Sequence, residues 1–151
     1  MSCVRAIYSW EILEVLPLIA KFDEEAGYDY GVDKQEFVDS WVNLIRSKQG
    51  IIIAKFKDGR IVGALGAVTQ RAPWSTQIKA QEAFFWIEPE FRGSPSSARM
   101  VKHYIQWATS LGIKRIQIVA LCSTDTKDKV SQFYEALGFG LVEQGFEIKL
   151  P

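Results

Sequence analysis

Between Phe84 and Val101 the chain reads FFWIEPEFRGSPSSARMV, and the middle of this segment carries the residue types that hold an anion. A run of aromatic and β-branched residues ends at Pro89. An arginine, a glycine and serines follow, and then helix formers resume. Where a strand turns into a helix, successive backbone N–H groups and the positive end of the helix dipole attract negative charge. A glycine lets the chain approach the ligand closely, and an arginine offers parallel donors to a phosphate. The segment RGSPSSA, residues 92–98, can therefore hold a phosphate or diphosphate. It also reads as a plain helix start, with Ser94 capping and Pro95 in the first turn.

Other chemistries lack their parts. His103 is the single histidine, and Cys3 and Cys122 are the two cysteines. Neither metal-ligand spacing nor a Ser-His or Cys-His pair can be assembled from them, so no metal is expected. Cys122 reads as a small buried hydrophobe and His103 as a surface residue. Lys plus Arg balances Asp plus Glu at 18 each, which gives no reason to expect nucleic acid or an acidic membrane as partner. The longest apolar stretches, such as GIII from Gly50 and AFFWI from Ala83, fall far short of the roughly 20 residues that span a bilayer. The acidic N-terminus MSCVRAIYSWEILEVL lacks the pattern of a secretory signal, and a reducing cytoplasm is the expected setting. With 151 residues, 48% hydrophobic and 24% charged, one globular domain over 1–151 is expected.

The elements that must position the turn follow from periodicity. VRAIY reads as a strand, and Ser9 can cap a helix through WEILEVLPLIAKF, which Pro17 would kink or divide. After the loop DEEAGYDYGVD, Asp33 or a neighbour opens a helix, KQEFVDSWVNLIRSK, with Phe37, Trp41, Leu44 and Ile45 on one face and its end at Gly50. IIIAKFK and IVGALGAVTQ flank Asp58-Gly59, a hairpin signal. QEAFFWIEP is the next strand, placing Glu82, Phe84, Trp86 and Glu88 on one face. SARMVKHYIQWATSLG is a helix with Val101, Tyr104, Ile105, Ala108 and Leu111 inward. KRIQIVAL is a strand, KDKVSQFYEALG a helix, and FGLVEQGFEIKL a final strand bent near Gly145. The order is β-α-α-β-β-β-α-β-α-β, an α/β (α+β) fold with a mixed, largely antiparallel sheet. A right-handed crossover from Ala83 to Leu121 supplies its central parallel pair.

Two motifs in this order, IEPEFRGSPSSA and later YEALGF, make the chain resemble the GNAT superfamily of N-acetyltransferases over essentially its full length. That family has Arg/Gln-x-x-Gly-x-Gly/Ala after a strand and Tyr-x-x-x-Gly-Phe on a later helix. This chain has Pro95 at the fourth position of the first motif and Ser97 at the sixth, and Lys127 where an asparagine commonly precedes the tyrosine. Proline has no N–H, so the Ser96 and Ser97 hydroxyls would have to replace one donor.

The resemblance implies acetyl-CoA as co-substrate. Its pantetheine arm would run along the strand at Phe85, Trp86 and Ile87, in a gap where two strands splay apart. Its diphosphate would sit on Arg92, Gly93, Ser94, Ser96, Ser97 and Ala98. Tyr134, with Phe133 beside it, would donate a proton to the departing thiolate, and Glu82 would take the proton of the attacking amine. For both there is a bland reading, a packed aromatic and a solvated glutamate. Arg99 and Lys102 either assist with phosphate or form a wet helix face.

The acceptor expected is a primary amine on a small molecule or peptide. Asp23, Glu24, Glu25, Asp29, Asp33 and Glu36 crowd the segment between the first helices, which favours a cationic amine, with Tyr28, Tyr30 and Trp74 as walls. A solvated acidic loop is the alternative. A homodimer is compatible with the sequence. Two rival functions remain: a non-catalytic acyl-CoA-binding sensor or adaptor on the same fold, and a transferase of another acyl group.

Overall fold

The computed structural model of the protein describes residues 2–121 and 127–151. Contacts divide the chain into two compact units, Met1–Val119 and Ala120–Pro151.

The first unit is built on a five-stranded sheet whose strands lie side by side in chain order. These are β1 (Ser2–Ala6), β2 (Gly50–Lys57), β3 (Arg60–Arg71), β4 (Ile78–Ile87) and β5 (Ile116–Gln117). All neighbours run antiparallel except β4 and β5, which are parallel. Three helices, α1 (Ile12–Ala26), α2 (Lys34–Arg46) and α3 (Pro95–Ser110), cover the sheet. Asp58 and Gly59 both have positive φ, 51° and 79°, the backbone that a two-residue turn needs to match strand twist.

One face of the sheet packs on α1 and α2. Ile52, Ala54, Ala64, Phe84 and Trp86 meet Ile12, Val15, Leu18 and Trp41, with Phe37, Leu44 and Ile45 alongside. Phe84 is the centre of this core, its ring 5.4 Å from that of Trp41 and 6.4 Å from that of Phe22. A Cβ on Gly66, directly across the strand pair, would lie 2.4 Å from the Phe84 ring. Only glycine admits the aromatic there. The opposite face lies under α3, where Met100, Val101, Tyr104 and Ala108 are fully buried.

Several boundaries differ from the sequence reading. Asp33 caps α2 as expected, accepting from the Glu36 N–H at 2.9 Å. At α1, however, Ser9 opens a short 3-10 turn, and the Glu11 carboxylate accepts the Tyr8 N–H instead. Pro17 lies in the second turn of α1 and the helix runs through it unbroken. Gly50 starts β2, and α2 ends at Arg46 with Ser47 as its cap. Leu111 is exposed. β5 is shortened to two residues.

The second unit contains α4 (Lys127–Ala136). The strand expected over 139–150 is not formed: these residues have no regular secondary structure, and Leu141, Val142, Phe146, Ile148 and Leu150 are exposed. Their alternating pattern carries strand propensity, but propensity without a ladder partner does not make a strand. Cys122 lies outside the described residues.

Candidate active site

The site begins where β4 and β5 part. They pair only at Ala80 with Ile116 and at Gln81 with Gln117, whereas β4 continues to Ile87. Among the described residues, no strand is laddered to that edge of β4 from Glu82 onward. Backbone groups along such an edge are available to an extended amide ligand. The Ile87 carbonyl already accepts from Arg92 Nε at 2.7 Å.

β4 also carries an extra residue. Gly66 pairs with Phe84 and the next residue, Ala67, pairs with Glu82, so Ala83 is left over as a β-bulge. Cross-strand partners share a face and successive residues alternate. Glu82, opposite Ala67, therefore lies on the α3 face, while Phe84 and Trp86 lie on the α1/α2 face. The common face expected for these side chains is thus corrected: the bulge resets the alternation between them. Glu82 is 9% exposed, and burial pushes its carboxyl up to about 8. Tyr104 on α3 donates its phenol proton to the Gln117 carbonyl at 2.7 Å. Burial first, and the Glu82 charge second, push that phenol up as well.

After β4, a 3-10 turn (Pro89–Phe91) leads to Gly93, whose φ of 79° is left-handed. A Cβ on Gly93 would meet nothing within 4 Å, so the space in front of the turn is open and the glycine serves the backbone. Pro95 occupies the first turn of α3, but the Ser94 side chain makes no cap. The plain helix start is therefore only half present. The Ser94 hydroxyl bonds instead to Ser96 Oγ and accepts from Lys55 Nζ at 3.0 Å. Ser97 N–H is used locally, by the Ser94 carbonyl. Arg92 turns away from the first turn of α3: it forks onto Glu25 of α1 at 3.2 and 2.9 Å and lies 5.3 Å over the Trp86 ring. Arg92, and secondarily the Trp86 indole N–H, hold the Glu25 carboxyl below the usual range.

The acidic segment is partly committed to structure. Asp23 accepts the Tyr30 and Gly31 N–H groups, Asp33 caps α2, and Glu25 holds Arg92 and Trp86. Glu24 and Asp29 remain exposed. Tyr28 and Tyr30 stack at 5.4 Å, with Tyr30 and Trp74 largely in solvent. In the second unit, Tyr134 is buried on α4, 5.6 Å from the Phe133 ring and 6.0 Å from that of Phe139. Its carbonyl accepts the Leu137 and Phe139 N–H groups, so the GF of YEALGF closes the helix. Among the described residues, no three His, Cys, Asp or Glu side chains gather as metal ligands, and no helix is long and apolar enough to cross a membrane.

Sequence reasoning missed Lys55, Glu25 as the partner of Arg92, and Tyr104 as the neighbour of Glu82. Lys55 had a signal: it is a charge between Ala54 and Phe56 in IIIAKF, a stretch otherwise apolar on both faces.

The sheet is mixed, its one parallel ladder ends at Gln81 and Gln117, and an open glycine turn leads from β4 into α3. The match to a family model makes this specific: residues 10–139 fit the acetyltransferase (GNAT) family, and the chain belongs to it. No curated protein sequence matches the chain significantly. Solved structures share the fold. A predicted acetyltransferase from Clostridium acetobutylicum, crystallised with acetyl-CoA, superposes with a TM-score of 0.79 at 16% identity, over 99% of this chain and 96% of its own. The aminoglycoside acetyltransferase HMB0005 from an uncultured soil metagenomic sample gives 0.78 at 17% identity, over 100% and 99%. AAC(6')-Iy, solved with a bisubstrate analogue of CoA and acetylneamine, gives 0.76 at 12% identity, over 100% and 99%.

Proposed function

We propose that the chain moves an acetyl group from acetyl-CoA to a primary amine by direct attack in a ternary complex. When bound, acetyl-CoA supplies an activated acyl group as a thioester. The residues present fit it: the β4 edge at Phe85, Trp86 and Ile87 offers backbone partners for the pantetheine amides, and the open turn from Gly93 through Ser94, Ser96, Ser97 and Ala98 offers a diphosphate site. The observation that carries the proposal is Glu82, a buried carboxyl next to the last pair of the parallel ladder, whose pKa of about 8 suits a base for an amine that must lose its proton to attack. Tyr134 is assigned the matching acid role toward the leaving sulfur. Glu24 and Asp29 at the surface support a cationic acceptor, as do the aminoglycoside acetyltransferases among the structural neighbours.

The test is thiol release from acetyl-CoA in the presence of small amines, polyamines and lysine peptides. Release with at least one amine is expected. One observation favours a second reading, a non-catalytic acyl-CoA binder: the Arg92 guanidinium is held by Glu25. A thermal shift with acetyl-CoA and no release with any amine would select it; no shift and no release would remove both.

A further inference from the structure

The anion turn has a cation, and it is not the arginine of the motif. Lys55, from the middle of β2, is 4% exposed. Its Nζ donates to the Phe91 carbonyl at 2.9 Å and to Ser94 Oγ at 3.0 Å, and lies 5.7 Å from the centre of the Phe91 ring. Among the described residues, no carboxylate lies within ion-pair distance of it. The charged groups that act on it are Arg99 and Lys57, and burial, ahead of both, lowers its pKa. A desolvated ammonium normally has a counter-ion in the protein, because an unpaired buried charge costs several kcal/mol. Here the chain has placed one under a turn and fixed it with neutral acceptors only, with the like charges of Arg99 and Lys57 acting on it. Such a cation is poised for an anion that arrives from outside.

We propose that Lys55 is the fixed charge of the diphosphate site, setting the affinity of the turn between Phe91 and Ser96 for the diphosphate of the acyl carrier while Arg92 serves Glu25. The inference rests on the acetyl-CoA reading above. Lys55 acts through the field at the turn and by holding the Phe91 carbonyl and Ser94 hydroxyl in place, so it is a binding and positioning residue rather than a catalytic one.

Lys55→Met keeps the length of the side chain and removes the charge. Removing a buried, unpaired cation should leave the melting temperature of the free protein unchanged or raise it. The same variant should weaken acetyl-CoA binding, measured by calorimetry, on the order of tenfold to a hundredfold. Binding of S-acetylpantetheine, which lacks the diphosphate, should be unchanged. Ser94→Ala, which keeps the charge and loosens its seat, should weaken acetyl-CoA severalfold in the same direction. Equal acetyl-CoA affinity in wild type and Lys55→Met overturns the proposal, as does an equal loss for both ligands or a lowered melting temperature with affinity retained. Failure of the wild type to bind acetyl-CoA at all would instead strike the functional reading itself, and this inference with it.

Discussion

Replacing Glu82 with glutamine tests the proposed chemistry and the fold together. The carboxyl moves from 4.5 to about 8 on folding, and burial is the cause. At about 1.4 kcal/mol for each tenfold in proton affinity, its ionisation costs the folded state about 5 kcal/mol. A raised pKa in the folded state means that the stability is fully present below the unfolded value of 4.5 and is lost as pH rises through about 8. Wild type should therefore lose stability between pH 5 and 9, and Glu82→Gln, which cannot ionise, should lose several kcal/mol less over the same range in urea titrations. Turnover should show the reverse trend. Only about a tenth of the carboxyl is ionised at pH 7 for a pKa of about 8, so kcat/KM expressed for the unprotonated amine should rise nearly tenfold per pH unit below that value and then level. In Glu82→Gln that rise should vanish and the rate should fall by about two to four orders of magnitude, the usual worth of a general base. If the variant turns over at the wild-type rate, or its stability follows pH with the wild-type slope, then Glu82 is neither the base nor a buried carboxyl of raised pKa.

Tyr134→Phe should slow turnover while leaving the acetyl-CoA dissociation constant within about twofold of wild type, measured by calorimetry; an unchanged kcat removes the acid role. Glu25→Gln should free Arg92, tightening acetyl-CoA binding severalfold at a stability cost of less than about 1 kcal/mol, since the ion pair is partly exposed to solvent. Affinity equal to or weaker than wild type would show that Arg92 does not reach the anion. Gly66→Ala should destabilise the fold by about 1–3 kcal/mol in urea titrations, because the added methyl would lie 2.4 Å from the Phe84 ring in a packed core.

What the residues revealed in advance depended on how local the cause was. α2 was legible because Asp33 caps it and its apolar residues recur at three and four positions. The hairpin was legible because Asp58-Gly59 demands positive φ, and the turn into α3 because glycine, serine and proline mark a strand-to-helix corner. Causes that lie across the sheet were not legible. The bulge at Ala83 is defined by pairing with β3, so the face of Glu82 could not be counted from β4 alone. Nor could the diversion of Arg92 to Glu25, which joins residues far apart in the chain. The segment 139–150 shows the converse: its alternation is plain, yet no residue in it is paired in a ladder.

The bulge also makes the position of the carboxyl a matter of parity. A one-residue slip that absorbed the bulge, pairing Ala83 with Ala67 and Glu82 with Val68, would drive Glu82 onto the side of Phe22 and Trp41, trading a proton acceptor for a polar intruder among aromatics. A point substitution in this strand changes one contact, whereas a slip of one residue transposes every side chain on one end of it. The unpaired Ala83 is thus what lets Phe84 sit among the aromatics while Glu82, two positions before it, faces α3.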